Sequence, residues 1–288
     1  MFGKKRSGGK ATAERSTAAH EIVVSVQTDK GCVREINEDS GRLVRPADEA
    51  QSKKRGTLLI VADGMGGHSA GEVASGMAVE LIPEIYYGSK GEPSEALKEA
   101  VEEANRRIYA ASLEDESRRG MGTTCTALCL LDGQAFAAHV GDSRLYMLRG
   151  GRVYQLTEDH SAVMEMVKLG LITKEEARHH DDKNVILRAL GTSPEVEVST
   201  LEPFSVRAGD QYLLCSDGLY DLVADDEIEH ELSHAGDIQA AGQKLITLAK
   251  ERGGHDNITV GIVAVVPAGA SAAEAVDMRA TREWRAQG

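Results

Sequence analysis

Four apolar runs in this chain carry a carboxylate at one end. "LLIVADG" stops on Asp63-Gly64, "AFAAHVGDS" on Asp142-Ser143 and "YLLCSDG" on Asp217-Gly218, while "HDNITVGIVAVV" places Asp256 and Asn257 just before its apolar stretch. A fifth stretch, "REINEDS", supplies Arg34, Glu38 and Asp39 after the first run. A single Asp-Gly after a strand is a turn signal. Four acidic strand ends carry a different implication if the strands share layers, because their ends then converge. Two carboxylates about 5 Å apart repel by roughly 3 kcal/mol at an effective dielectric of 20, and several such pairs exceed the stability of a typical domain. Protonation can relieve one or two of them; multivalent cations relieve the set. All the donors are oxygens and no Cys/His group has zinc spacing, so the ions expected are hard ones, Mg²⁺ or Mn²⁺. Gly64, Gly66 and Gly67 would let the backbone come close to such ions and free the Gly64 carbonyl as a ligand.

Other polar residues are read against that site. Arg34 is either a surface residue or a planar fork suited to clamp a phosphate. His68 stands five residues after Asp63 at the start of a periodic helix, on the rim of the expected site, with a structural role equally open. His139 reads as a packed core residue, His179-His180 as a solvated loop, and His160 as a group opening a helical segment.

Strand-like runs near 21–27, 57–62, 123–131, 134–140, 144–149, 152–156, 211–215 and 258–266 position these groups. Several are joined by Asp132-Gly133 or Gly150-Gly151, the signature of antiparallel hairpins. After the glycines, Ala70, Val73, Ala74, Met77, Ala78, Leu81 and Ile82 follow one helical face. Leu97, Val101, Ala104 and Ile108 stripe a second helix, with Glu102–Arg106 and Glu103–Arg107 expected as supporting pairs. A third helix near 238–251 should bury Ile238, Ala241, Leu245 and Leu248. Hairpin-rich sheets that need covering helices imply an α+β protein of stacked layers.

Residues 1–20 are polar and aperiodic and read as a flexible arm, 21–266 as one catalytic domain, and 267–288 as an Ala-rich tail carrying the only tryptophan, Trp284. A formal charge of −13 argues against nucleic acid or an anionic membrane as partner. The four cysteines form no CxxC pair and read as buried thiols of a reducing compartment. No run reaches the roughly 18 apolar residues of a membrane span, so a cytoplasmic protein, expected to be a monomer, is the reading. "GMGGHS" lacks the third glycine of G-x-G-x-x-G and the chain has no G-x-x-x-x-G-K-[ST], which sets nucleotide-binding Rossmann and P-loop enzymes aside.

The ordered segments "GCVREINEDS", "VADGMGGHSAGEVAS", "GTTCTALCL", "AAHVGDSRLYML", "LTEDHS", "LRALGT", "LLCSDGLYDLV" and "GGHDNITVGIV" resemble the metal-dependent type 2C protein Ser/Thr phosphatases, the PPM family, in its bacterial branch. The resemblance covers about residues 21 to 266. It implies a four-layer α-β-β-α sandwich, two central antiparallel β-sheets flanked by helices, with two Mn²⁺ or Mg²⁺ ions at one end and a weaker third. By that resemblance Asp63 bridges two ions, Gly64 offers its carbonyl, Asp217 and Asp256 hold the first ion, and Glu38 and Asp39 act mainly through coordinated water. Asp142 with Asp217 would form the third site, Arg34 would hold the substrate phosphate, and Asn257 would support the metal-side network. Hydroxide between the ions would attack phosphorus in phosphoserine or phosphothreonine of protein substrates, opposing a cytosolic Ser/Thr kinase in signalling. Met65 stands where the animal branch has histidine, which leaves His68 as the candidate to protonate the leaving oxygen. Segment 161–187 corresponds to the family's variable flap. The competing readings are a catalytically silent signalling module on the same fold, which lost ligands would favour, and a phosphatase restricted to one regulatory partner.

Overall fold

The computed structural model describes residues 20–66 and 70–267. Its strands are β1 His20–Asp29, β2 Ser40–Val44, β3 Thr57–Ala62, β4 Gly64–Met65, β5 Gly122–Thr123, β6 Cys125–Leu131, β7 Gln134–Val140, β8 Arg144–Arg149, β9 Arg152–Gln155, β10 Ser199–Ser205, β11 Gln211–Cys215 and β12 Ile258–Pro267. The helices are α1 Glu49–Arg55, α2 Ala70–Gly88, α3 Pro93–Glu114, α4 Ala162–Lys168, α5 Lys174–Arg178, α6 Asp217–Tyr220, α7 Asp225–His234 and α8 Ile238–Glu251. Two five-stranded sheets, ordered β1-β12-β11-β8-β9 and β10-β7-β6-β3-β2, are antiparallel throughout.

Alternation along each strand builds the layers. In β3, Leu59 and Val61 join Tyr212, Leu214, Val263 and Val265 in the core between the sheets. Leu58, Ile60 and Ala62 point the other way, into a core with Ala74, Ala78 and Ile82 of α2 and Leu97, Val101 and Ile108 of α3. On the far side, Leu213, Cys215, Val260 and Ile262 pack under Ile228, Leu232, Leu245 and Ala249 of α7 and α8. The four-layer α-β-β-α sandwich follows from strands that are apolar on both faces. At the hairpin Asp132-Gly133 both residues take positive φ, 47° and 71°, the backbone that a two-residue turn of this hand needs.

Several local expectations are corrected. Arg106 and Arg107 both bind Glu103, at 2.9 and 3.0 Å, and Glu102 lies 3.6 Å from Lys98, so the Glu102–Arg106 pair does not form. In α8 the buried stripe is Ala241, Gly242, Leu245, Ile246 and Ala249; Ile238 and Leu248 lie at its margin. Cys125, Cys129 and Cys215 are buried, but Cys32 is exposed. Strands β2 and β10 and helices α1 and α7 carry too few apolar positions, or too short a period, to stand out in the sequence. The sandwich also reaches one residue past each expected boundary, because His20 pairs with Pro267. The remainder of the N-terminal arm and of the C-terminal tail, with Trp284, lies outside the described residues.

Register brings the acidic ends together. β1 ends at Asp29 opposite Ile258, the start of β12, and β11 ends at Cys215 opposite Val260 and Arg144. In the other sheet Val61 faces Thr126, Ser40 faces Ala62, and Val140 faces Cys125. The loops holding Glu38, Asp39, Asp63, Asp142 and Asp256, and the start of α6 with Asp217, therefore all emerge at one end of the sandwich.

Candidate active site

The chain segments that carry these carboxylates are fixed by hydrogen bonds, and of the set only Asp256 meets a counter-charge among the described residues, Arg34. The Asp63 N–H donates to Thr124 Oγ1 at 2.9 Å, and its carbonyl accepts from Thr124 N at 2.8 Å and Thr123 Oγ1 at 2.9 Å. Thr124 Oγ1 also meets Ser143 Oγ at 2.7 Å, so the strand ends bearing Asp63 and Asp142 are tied by one hydroxyl. Gly141, next to Asp142, donates its N–H to Nδ1 of His160 at 3.0 Å; that fixes His160 as the Nε2-protonated tautomer, with Ser199 Oγ 2.9 Å from Nε2. His139 bonds Thr126 and the Glu158 carbonyl. Burial pushes both rings down to about 4, so they are neutral structural groups. His179 is exposed, as expected.

Asn257 knits the remaining loop. Its Nδ2 donates to the carbonyls of Lys30 and Ile36, each at 3.0 Å, and its Oδ1 accepts from Glu38 N at 2.8 Å. Glu38 in turn accepts from Gly71 N at 3.1 Å, and Ser216 Oγ donates to Asp39 Oδ2 at 2.7 Å. Arg34 is half exposed and reaches Asp256 Oδ2 at 2.7 Å. The glycines are explained by packing: a Cβ on Gly64 would lie 2.2 Å from the Gly71 carbonyl oxygen and 2.4 Å from that of Glu38, and one on Gly218 2.0 Å from that of Asn257. The space cleared around Gly64 and Gly218 is thus filled by neighbouring backbone.

The electrostatics identify the cluster. Burial, then the charges of Asp39, Asp217, Asp142 and Asp256, push the Asp63 carboxyl well above the usual range. Asp217 is raised likewise, by burial and then by Asp142, Asp256, Asp221 and Asp39. Burial raises Asp39 to about 6, against a hydrogen bond from Ser216. It raises Asp142 to about 7, with Asp159 adding to the rise. Glu38 is raised mainly by burial. Among the described residues no three acidic, imidazole or thiol groups close round a single point. What they share is proximity and want of partners: Asp39 Oδ1, Asp142 Oδ1 and Asp217 Oδ1 are buried with no hydrogen-bond partner. Buried, mutually repelling oxygens without donors are what hard divalent ions satisfy, so the donor set fits such ions. His68 and Gly67 lie outside the described residues.

The family model described as "Protein phosphatase 2C" matches residues 37–253. The chain belongs to the protein phosphatase 2C family. It is 41% identical over 243 residues to the serine/threonine phosphatase stp of Listeria monocytogenes, covering 82% of this chain and 93% of that protein. It is also 41% identical over 243 residues to the serine/threonine protein phosphatase PstP of Mycobacterium tuberculosis, covering 84% of this chain but 45% of that longer one. The crystal structure of M. tuberculosis PstP/Ppp superposes with a TM-score of 0.76 at 37% identity, over 85% of this chain and 99% of that one. The catalytic domain of PstP in complex with two manganese ions gives a TM-score of 0.74 at 37% identity, over 86% and 100% of the chains.

Some residues that build this protein phosphatase 2C site escaped the sequence reading. Thr123, Thr124 and Thr126 are fully buried, as are Ser143 and Ser216. Their signal was a run of hydroxyls inside a buried strand, "GTTCTALCL", which apolar β-structure has no use for unless the hydroxyls bond something. Arg144 forks onto Asp159 at 2.7–3.1 Å and lies over the Tyr220 ring at 3.6 Å, while Tyr220 donates to the Asp142 carbonyl at 3.0 Å. This buried pair fixes the wall behind Asp142. Segment 161–187 contributes α4 and α5, which with α6 and α7 enclose a cleft of about 360 Å³ reaching Asp142 and Asp217.

Proposed function

We infer that the protein is a metal-dependent protein serine/threonine phosphatase and that its convergent carboxylates are the metal ligands. The observation that carries this reading is the set of buried carboxylate oxygens of Asp39, Asp142 and Asp217 left without partners where the acidic strand ends meet. Asp63, which feels the charges of Asp39, Asp217, Asp142 and Asp256, would be shared by the ions, with the Gly64 carbonyl beside it as a further donor. Asp217 and Asp256 would hold an ion directly, and Glu38 and Asp39 would act through water. Asp142, whose charge raises Asp217, would with it hold a weaker third ion. No acidic position of the pattern is replaced, which disfavours a catalytically silent module.

Mn²⁺ or Mg²⁺, when bound, supplies Lewis acidity and a water of lowered pKa at the phosphorus. The chain's residues orient the reactants. Arg34 presents a half-exposed guanidinium beside Asp256, suited to clamp the phosphate of phosphoserine or phosphothreonine by two parallel hydrogen bonds. Asn257 holds the loop that carries Arg34 and Glu38 at fixed height. His68 is assigned to protonate the leaving Ser/Thr oxygen. The physiological substrates are phosphoproteins of a Ser/Thr kinase in the cytoplasm, acted on by a monomer; among the described residues no helix is long and apolar enough to cross a membrane.

The test is phosphate release from a phosphothreonine peptide by chelator-stripped protein, with and without added Mn²⁺. Metal-restored turnover is expected. A folded protein that stays inactive with Mn²⁺ and with Mg²⁺ would refute the assignment.

A further inference from the structure

At the opposite end of the sandwich lies a second cavity, lined by residues of α1, the end of α2 and the start of α3. β3 spans roughly 20 Å and α2 roughly 28 Å between this end and the carboxylates. The cavity holds about 700 Å³, within the range of small-molecule sites. Arg55, Lys54 and Lys90 line it, together with Tyr87 and Pro93. Its one acidic lining side chain besides these cations is Asp48, which is spent on capping α1: its oxygens accept from Ala50 N at 3.4 Å and Gln51 N at 3.0 Å.

Arg55 is the anomaly. It is 6% exposed, and its Nη1 is buried without a hydrogen-bond partner. Nη2 donates to the Ser89 carbonyl, and the guanidinium lies 5.4 Å from the Tyr86 ring centroid. Among the described residues no carboxylate pairs with Arg55, Lys54 or Lys90. A buried cation without a counter-charge is unfavourable, and it occurs here in a chain of formal charge −13. The start of α3 adds to it. This 22-residue helix begins at Pro93 with Glu92 making no side-chain cap; Glu95 of its first turn lies 3.6 Å from Lys98 and does not line the cavity, which the start of the helix meets at Pro93 without a side-chain cap.

We propose that this cavity is a binding site for a small phosphate-bearing molecule, with Arg55, Lys54, Lys90 and the start of α3 as its anion-binding elements. The guanidinium fork matches a phosphate's oxygens, and the volume left over accepts an organic body against Tyr87 and Pro93. The site is separate from the phosphatase centre and does not depend on the roles assigned there.

The test uses chelator-stripped protein, whose carboxylate end repels anions, with inorganic phosphate and ADP as probes. Titration calorimetry should show saturable binding with Kd at or below about 1 mM, and the amide resonances of Ser89, Lys90, Gly91 and Ser94 should shift. Tighter binding of ADP identifies a phosphate carried on an organic body; equal binding identifies the free oxyanion. Lys54→Gln combined with Lys90→Gln, both exposed, should weaken binding roughly tenfold and leave Mn²⁺-dependent phosphopeptide turnover unchanged; Arg55→Gln should abolish binding. Because Arg55→Gln also removes a buried contact, the lysine variant decides if that protein does not fold. No saturable binding of either probe, or binding that the lysine variant leaves intact, would overturn the proposal.

Discussion

Replacing Asp142 by asparagine should stabilise the metal-free protein and do so only at neutral to alkaline pH. Asp142 is 4% exposed, and its carboxyl is raised from an ordinary 3.8 to about 7. A raised folded pKa means that the folded state binds the proton more tightly than the unfolded chain, so this group's contribution to stability falls as pH climbs from about 4 and is fully lost above about 7. At about 1.4 kcal/mol per pH unit the ionised Asp142 destabilises the metal-free fold by at most about 4 kcal/mol at pH 8. Asparagine removes that term, and also the charge that raises Asp63 and Asp217. Against this, the new amide enters where Oδ1 has no partner, a penalty of about 1–2 kcal/mol. The net gain is about 2–3 kcal/mol, roughly 6 °C in Tm for a domain of this size. Because the amide penalty does not titrate, the gain should shrink to about 1 kcal/mol near pH 5.5 and turn into a loss of about 1 kcal/mol near pH 4. His139 and His160 are depressed in both proteins and cancel in the comparison. Thermal and urea unfolding of the two chelator-stripped proteins across pH 4–8 measures the effect. A variant less stable than the parent at pH 8, or a difference independent of pH, would refute the electrostatic reasoning.

Two further substitutions probe the loop over the site. Asn257→Ala deletes three hydrogen bonds to Lys30, Ile36 and Glu38, so urea unfolding should show a loss of about 2–3 kcal/mol, and calorimetry a Mn²⁺ affinity at least roughly tenfold weaker. Arg34→Ala should mainly raise KM for a phosphopeptide, since its clamp acts on ground and transition state alike; steady-state kinetics showing a lowered kcat with unchanged KM would instead place the guanidinium on the developing charge.

The parts of the fold legible in the sequence were those with an unambiguous period. β3, β6, β7, β11 and β12 are apolar on both faces because each lies between two layers, and α2 and α3 carry complete stripes. β2, with "SGRLV", and β10, with "STLEPFS", sit at a sheet edge, and their sequences show no apolar run. The acidic site was legible because Asp63, Asp142, Asp217 and Asp256 each interrupt the end of an apolar run, where burial makes a charge conspicuous. What positions them was not: the threonine and serine hydroxyls, the Arg144–Asp159 fork and the Asn257 bonds join residues far apart in sequence, and only register brings them into contact. The glycines were legible as a clearing, but the close approach of Gly64 to Gly71 and Glu38 is a fact of packing.

Equilibrium binding of Mn²⁺ to the chelator-stripped native protein and to Asp63→Asn tests the carboxylate centre most directly. The native chain should take up two ions tightly and release protons as it does so near pH 6.5, because carboxyls raised by burial and mutual repulsion give up protons to the metal. The variant should keep at most one ion and lose turnover, since one side chain serves both. A native chain that binds fewer than two ions, or a variant whose stoichiometry and activity are unchanged, would contradict the bridging role and the centre built on it.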